Sequence, residues 1–184
     1  VNEALLVVDV QQGFDEYERR IGGRNNPDAE TRIARVIAAF RRAGKTVIHV
    51  HHASLEPDSP LRADSNGYAV KPEAQPLPDE RVIVKHVNSA FIGTNLETVL
   101  RGNGIERAVI VGATTDHCCS TTARMAANLG FAVQFVEDAV WTLDKTGADG
   151  RRYAAQLVHD VNIASLNGEF AEIVTTNALE ARLV

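Results

Sequence analysis

The chain has 184 residues, 45% of them apolar, and a formal net charge of −5. That apolar content at that length is enough for one domain, residues 1–184, with a full core. The mild acidity is spread along the chain and speaks against a nucleic-acid or anionic-membrane partner. No apolar run approaches the roughly 18 residues that span a bilayer, and no signal-peptide pattern opens the sequence. Cys118 and Cys119 are adjacent and cannot make an ordinary disulfide framework, so a soluble protein of the reducing cytoplasm is expected.

Ala4 to Val8 is a continuous apolar run, as a central parallel strand buried on both faces requires, and Asp9 closes it. Gln11, Gln12 and Phe14 follow on an expected loop, and 19–27, with two glycines and two asparagines, reads as irregular. From Asp28 to Gly44, Ile33, Val36, Ile37 and Phe40 recur at helical spacing among charged residues and predict an amphipathic helix. Thr46 to Val50 is a second strand running into His51 and His52. Alternation sets His49 and His51 on one face and His52 with Val50 on the other. Three histidines invite a metal, but no cysteine or carboxylate cluster supplies further ligands at suitable spacing, so none is expected. Residues 54–78 hold five of the six prolines and form a long excursion, suited to a lid or a subunit contact.

Arg81 to Val84 is a third strand, closed by Lys85 as Asp9 closes the first. After a connection with Asn88, Ser89 and Phe91, Thr94 and Glu97 have the spacing of a capping box for a helix to about Arg101. Ala108 to Val111 is a short β-branched run, then Gly112, two threonines and a small-residue helix ending at Gly130. Cys118 falls in its expected first turn, where free N–H groups and the helix dipole favour thiolate. Phe131 to Val136 is another strand, with Trp141 just past its end. Residues 147–166 read as mostly helix with Tyr153, Leu157, Val161 and Ala164 on the apolar stripe. A strand at 172–176 and a helical tail close the chain. Strands alternating with helices predict an α/β domain with a largely parallel sheet.

Asp9, Lys85 and Cys118 each lie at or just beyond the carboxyl end of a predicted strand. In a parallel sheet those ends form one edge, so an acid, an ammonium and a thiol can converge there. A carboxylate can take the thiol proton and return it to a leaving amine. The ammonium keeps the acid ionised, and backbone N–H groups can hold an oxyanion.

Three segments, 7–14 (VVDVQQGF), Lys85 with Asn88-Ser89-Ala90-Phe91, and 111–118 (VGATTDHC), resemble in this order the signatures of the isochorismatase-like cysteine hydrolases. That resemblance implies a Rossmann-like three-layer sandwich, a six-stranded, mostly parallel sheet flanked by helices. It implies Cys118 as nucleophile, Asp9 as general acid/base, Lys85 as the electrostatic third member, and an oxyanion hole from the Thr114 and Cys118 N–H groups beside a cis Ala113–Thr114 bond. It further implies a homodimer or homotetramer; no cofactor is expected. The nicotinamidase branch carries an Asp-x-His metal signature after the second strand, where this chain has His51-His52-Ala53-Ser54. True isochorismatases lack the cysteine and cleave a vinyl ether. Hydrolysis of a C–N bond in a small amide, ureido compound or lactam remains, with Gln11, Phe14, Tyr17, Asn88, Phe91 and Trp141 as candidate substrate contacts. A redox-sensitive thiol protein, or a non-catalytic binding protein on the same fold, is the alternative.

Overall fold

Six parallel strands make the central sheet of the computed structural model, which describes residues 1–183. They are β1 (Glu3–Val8), β2 (Thr46–His52), β3 (Arg81–Lys85), β4 (Arg107–Ala113), β5 (Ala132–Trp141) and β8 (Glu172–Val174), in the order β3-β2-β1-β4-β5-β8. A two-stranded antiparallel ribbon, β6 (Lys145–Thr146) with β7 (Arg152–Tyr153), stands apart. The helices are α1 (Gly13–Ile21), α2 (Ala29–Arg42), α3 (Leu96–Gly102), α4 (Ser120–Asn128), α5 (Ala155–Leu166) and α6 (Thr176–Leu183).

The apolar run of β1 sits between β2 and β4 and is buried on both faces. Its alternate residues serve two cores. Ala4, Leu6 and Val8 join Ile48, Val50, Ala108 and Ile110 under α3 and α4, while Leu5 and Val7 join Val47, Val109 and Val111 under α2 and α6. Three layers follow from that alternation. The close approach of β1 and β4 depends on Gly112, whose φ is +126°. A Cβ there would lie 1.9 Å from the Val8 carbonyl oxygen, so only glycine fits. Among the described residues no helix is long and apolar enough to cross a membrane.

Four expectations need correction. Phe14 is on α1 rather than a loop, and α1 takes up part of the stretch read as irregular. Its first residue, Gly13, lets the 54–78 excursion pack close, since a Cβ would meet Leu61 at 2.7 Å and the Pro60 carbonyl at 2.9 Å. Strand β5 does not stop at Val136. Its pairing with β4 shifts between Ile110 and Gly112 and resumes as Ala113 opposite Trp141. The helix expected from 147 begins only at Ala155, after the β6–β7 ribbon, and its inward residues are Ala155, His159 and Leu166. Leu157 and Val161, placed on the apolar stripe, face solvent instead. Cys118 lies in a wide π-helical turn, Thr115–Cys119, ahead of α4.

Candidate active site

At the carboxyl edge of the sheet, β1, β2, β3 and β4 each deliver a polar group to one point. The chain turns out of the sheet at Asp9 with φ +52°, a left-handed conformation that aspartate tolerates better than most residues. Asp9 and Lys85 are fully buried and joined, Nζ to Oδ2, at 2.7 Å. Lys85 Nζ also donates to Cys118 Sγ at 3.3 Å and to His52 Nδ1 at 2.9 Å. The second carboxylate oxygen, Asp9 Oδ1, is buried without a hydrogen-bond partner among the described residues. The peptide between Ala113 and Thr114 is cis, and the Thr114 hydroxyl is likewise buried and unpartnered among the described residues.

The electrostatics set where the proton rests. Burial pushes the Cys118 thiol well above its ordinary value, the Asp9 charge adds to this, and Lys85 offsets only part. The thiolate expected from a helix start is therefore a thiol here, held in a desolvated site beside a carboxylate. Burial also raises Asp9, against the attraction of Lys85. For Lys85 burial acts downward, but the Asp9 and Cys118 charges prevail and keep it an ammonium. Burial thus favours the neutral thiol at Cys118, and Lys85 is the cation that stands between it and Asp9.

Oxygen, nitrogen and sulfur atoms of Asp9, His52 and Cys118 lie within 4.8 Å of one another, a donor set that could hold a cation. Lys85 Nζ is bonded to all three residues. The ammonium thus fills the position a metal ion would take, and these residues do not fit one while Lys85 is in place.

A cavity of about 330 Å³ opens over the sulfur. Phe14, Tyr17, Leu61 and Leu143 give it apolar walls, and His52, Asn88, Thr114 and Cys118 supply polar ones. Ser54, Glu56, Ser59 and Leu61 bring the 54–78 excursion to the wall, where Ser59 Oγ and the Tyr17 hydroxyl share a 2.9 Å bond. Lys145 and His117 also line it. Both face Asp116, at 3.1 and 3.4 Å. A wider hollow of about 480 Å³ lies at the opposite end of the sheet, around Arg41, Lys45 and Glu80, away from the thiol.

Phe14, Tyr17 and Asn88 thus border the cavity, and three other candidate contacts do not. Gln11 is fully buried with its amide bonded to main chain: Oε1 accepts the His52 N–H at 2.8 Å, and Nε2 donates to the carbonyls of His52 and Tyr68. Phe91 is half-buried and stacks on Phe131 against the core beneath α3 and α4. Trp141 is fully buried behind Phe14, ring centroids 5.9 Å apart, with the Arg24 guanidinium 4.6 Å from its own centroid. None of these three lines the cavity. His52 was not singled out for the site. It reaches it because the β2–β3 register sets it opposite Lys85, which residue types alone do not reveal.

Residues 3–178 match the model of the isochorismatase domain. The chain belongs to the isochorismatase family. Within that family it is 42% identical over 177 residues to the protein YrdC of Bacillus subtilis, covering 96% of this chain and 94% of YrdC. A crystal structure of an isochorismatase-family protein from Chromobacterium violaceum superposes with a TM-score of 0.94 at 43% identity, over 99% of this chain and 93% of that one. The ureidoacrylate amidohydrolase RutB of Variovorax paradoxus is 29% identical over 177 residues, 77% of this chain and 69% of RutB.

Proposed function

We propose that this isochorismatase-family chain is a cysteine hydrolase that cleaves a C–N bond in a small amide, ureido compound or lactam. One observation carries the reading: a buried ammonium bonded to both a carboxylate and a cysteine sulfur on the floor of a cavity. An amidohydrolase among the relatives supports the same bond class. In the cycle, Asp9 takes the Cys118 proton as sulfur attacks the carbonyl carbon. The oxyanion is held by the Thr114 and Cys118 N–H groups. Collapse breaks the C–N bond, the leaving nitrogen takes the proton from Asp9, and a thioester remains on Cys118. Water then attacks, giving a proton to Asp9, and the departing sulfur retrieves it as the acid leaves.

Lys85 stays charged throughout and neutralises whichever of Asp9 and Cys118 is anionic. A redox role fits less well, because the other cysteine, Cys119, is adjacent and fully buried, poorly placed to resolve an oxidised Cys118. The test is a panel of primary amides, ureides and lactams followed by ammonia or acid release, with Cys118→Ala as control. One compound class should turn over, and the variant should lose about 10⁴-fold or more in kcat. Turnover that survives Cys118→Ala would exclude the covalent route.

A further inference from the structure

We propose that His52 is a positioning residue that holds the Lys85 ammonium on Asp9 and Cys118, and that Gln11 in turn fixes His52. The proposal rests on the reading of Cys118 as nucleophile and adds a fourth and a fifth residue behind it. The sheet order makes such a device necessary. Lys85 is on β3 and Asp9 follows β1, so the lysine side chain must cross β2, about 9.6 Å in two strand spacings. His52, the last residue of β2, is the register partner of Lys85 and stands under that crossing.

An ammonium has three N–H donors and no acceptor. At Lys85 all three have acceptors: Asp9 Oδ2 at 2.7 Å, His52 Nδ1 at 2.9 Å and Cys118 Sγ at 3.3 Å. Because Nζ can only donate, Nδ1 must present a lone pair, and the ring is the neutral tautomer with its proton on Nε2. Burial, with the Lys85 charge second, holds His52 at about 4, consistent with that form at neutral pH. Without Nδ1 a buried N–H would lack an acceptor, and the ammonium would be free to leave the sulfur. Gln11 holds both main-chain polar groups of His52, taking its N–H at 2.8 Å and donating to its carbonyl at 3.1 Å. It also donates to the Tyr68 carbonyl at 3.0 Å, so the imidazole stands on a doubly bonded base.

The test follows the rate at which iodoacetamide alkylates Cys118 at pH 7, read by intact mass, with Cys118→Ala reporting any reaction at Cys119. His52→Leu, which offers no acceptor, should slow alkylation by about 10- to 100-fold, the size expected for a lost hydrogen bond to a charged group. His52→Asn, whose carbonyl oxygen can replace Nδ1, should stay within a few-fold of wild type. His52→Ala should be slow alone and faster with added imidazole, a rescue that a purely structural residue would not give. Folded His52→Leu that alkylates at the wild-type rate, or His52→Asn as slow as His52→Leu, would overturn the proposal and leave the nucleophile reading intact. A wild-type Cys118 that iodoacetamide does not touch would remove both.

Discussion

Cys118 owes its proposed chemistry to neighbours more than to itself. A cysteine so buried is ordinarily an inert hydrophobe, as fully buried Cys119 beside it is. Cys118 differs in facing an ammonium and a carboxylate under an open cavity. Asp9 must be ionised to take the thiol proton, and burial raises its pKa above the ordinary carboxylate value of 3.8. The sign follows directly: kcat/KM is low where Asp9 is protonated and rises with pH through a midpoint higher than that of an exposed aspartate. A pH–rate profile should show this acid limb, and no alkaline loss should come from Lys85 below about pH 10. An acid limb at or below 3.8 would mean that the attraction of Lys85 outweighs burial at Asp9, and loss of that limb in Asp9→Asn is what assigns it to Asp9.

At the scale of elements, the site depends on how closely β1 and β4 approach, and Gly112 sets that distance. Gly112→Ala combines a left-handed φ with a Cβ 1.9 Å from the Val8 carbonyl oxygen, and the expected loss is about 3 kcal/mol or more in urea denaturation. Gly44, at φ +63° with nothing within 4 Å of its would-be Cβ, isolates the backbone term, and Gly44→Ala should lose only about 1 kcal/mol. Equal losses would show that the close approach is not what Gly112 provides. The same elements explain what the sequence made legible. Apolar runs ending in Asp9 and Lys85 mark strands and their carboxyl ends without ambiguity, so the convergence with Cys118 could be read from residue types. Trp141 could not be placed, because the shifted pairing of β4 and β5 carries the strand past its expected end and buries the indole. The phase of α5 was hidden for a different reason. His159 turns inward to meet the Thr115 hydroxyl at 3.0 Å, leaving the apolar Leu157 and Val161 outside. A tertiary hydrogen bond of that kind leaves no periodic trace.

For the whole molecule, one ion-pair hub ties the edge of the sheet to its helical layer. Glu80, just before β3, accepts from both Arg41 Nε and Nη2 at 2.8 Å on α2, from the Leu77 N–H at 2.9 Å, and faces His49 Nε2 on β2 at 2.9 Å. Burial acts upward on its carboxyl, but these bonds, Arg41 foremost, bring it from 4.5 to about 2. The folded pKa is depressed, so the stabilisation is complete above pH 4.5 and is lost as pH falls toward 2. Glu80→Gln should lower stability at pH 7 by about 2 kcal/mol and flatten the dependence in that acid window. An unchanged acid unfolding profile would remove Glu80 from the account. The overall sheet order has a further consequence. It places β2 between the lysine and the aspartate, and with it a histidine that sequence spacing assigns only to a strand end.

The most direct measurement of the central claim is a rapid acid quench of wild-type enzyme during turnover of the amide found by the panel, followed by peptide mapping in a mass spectrometer. The peptide carrying Cys118 should gain the mass of the acyl fragment, and that mass should vanish when turnover ends. Undiminished hydrolysis by Cys118→Ala, with no acyl mass on that peptide in wild type, would contradict the account.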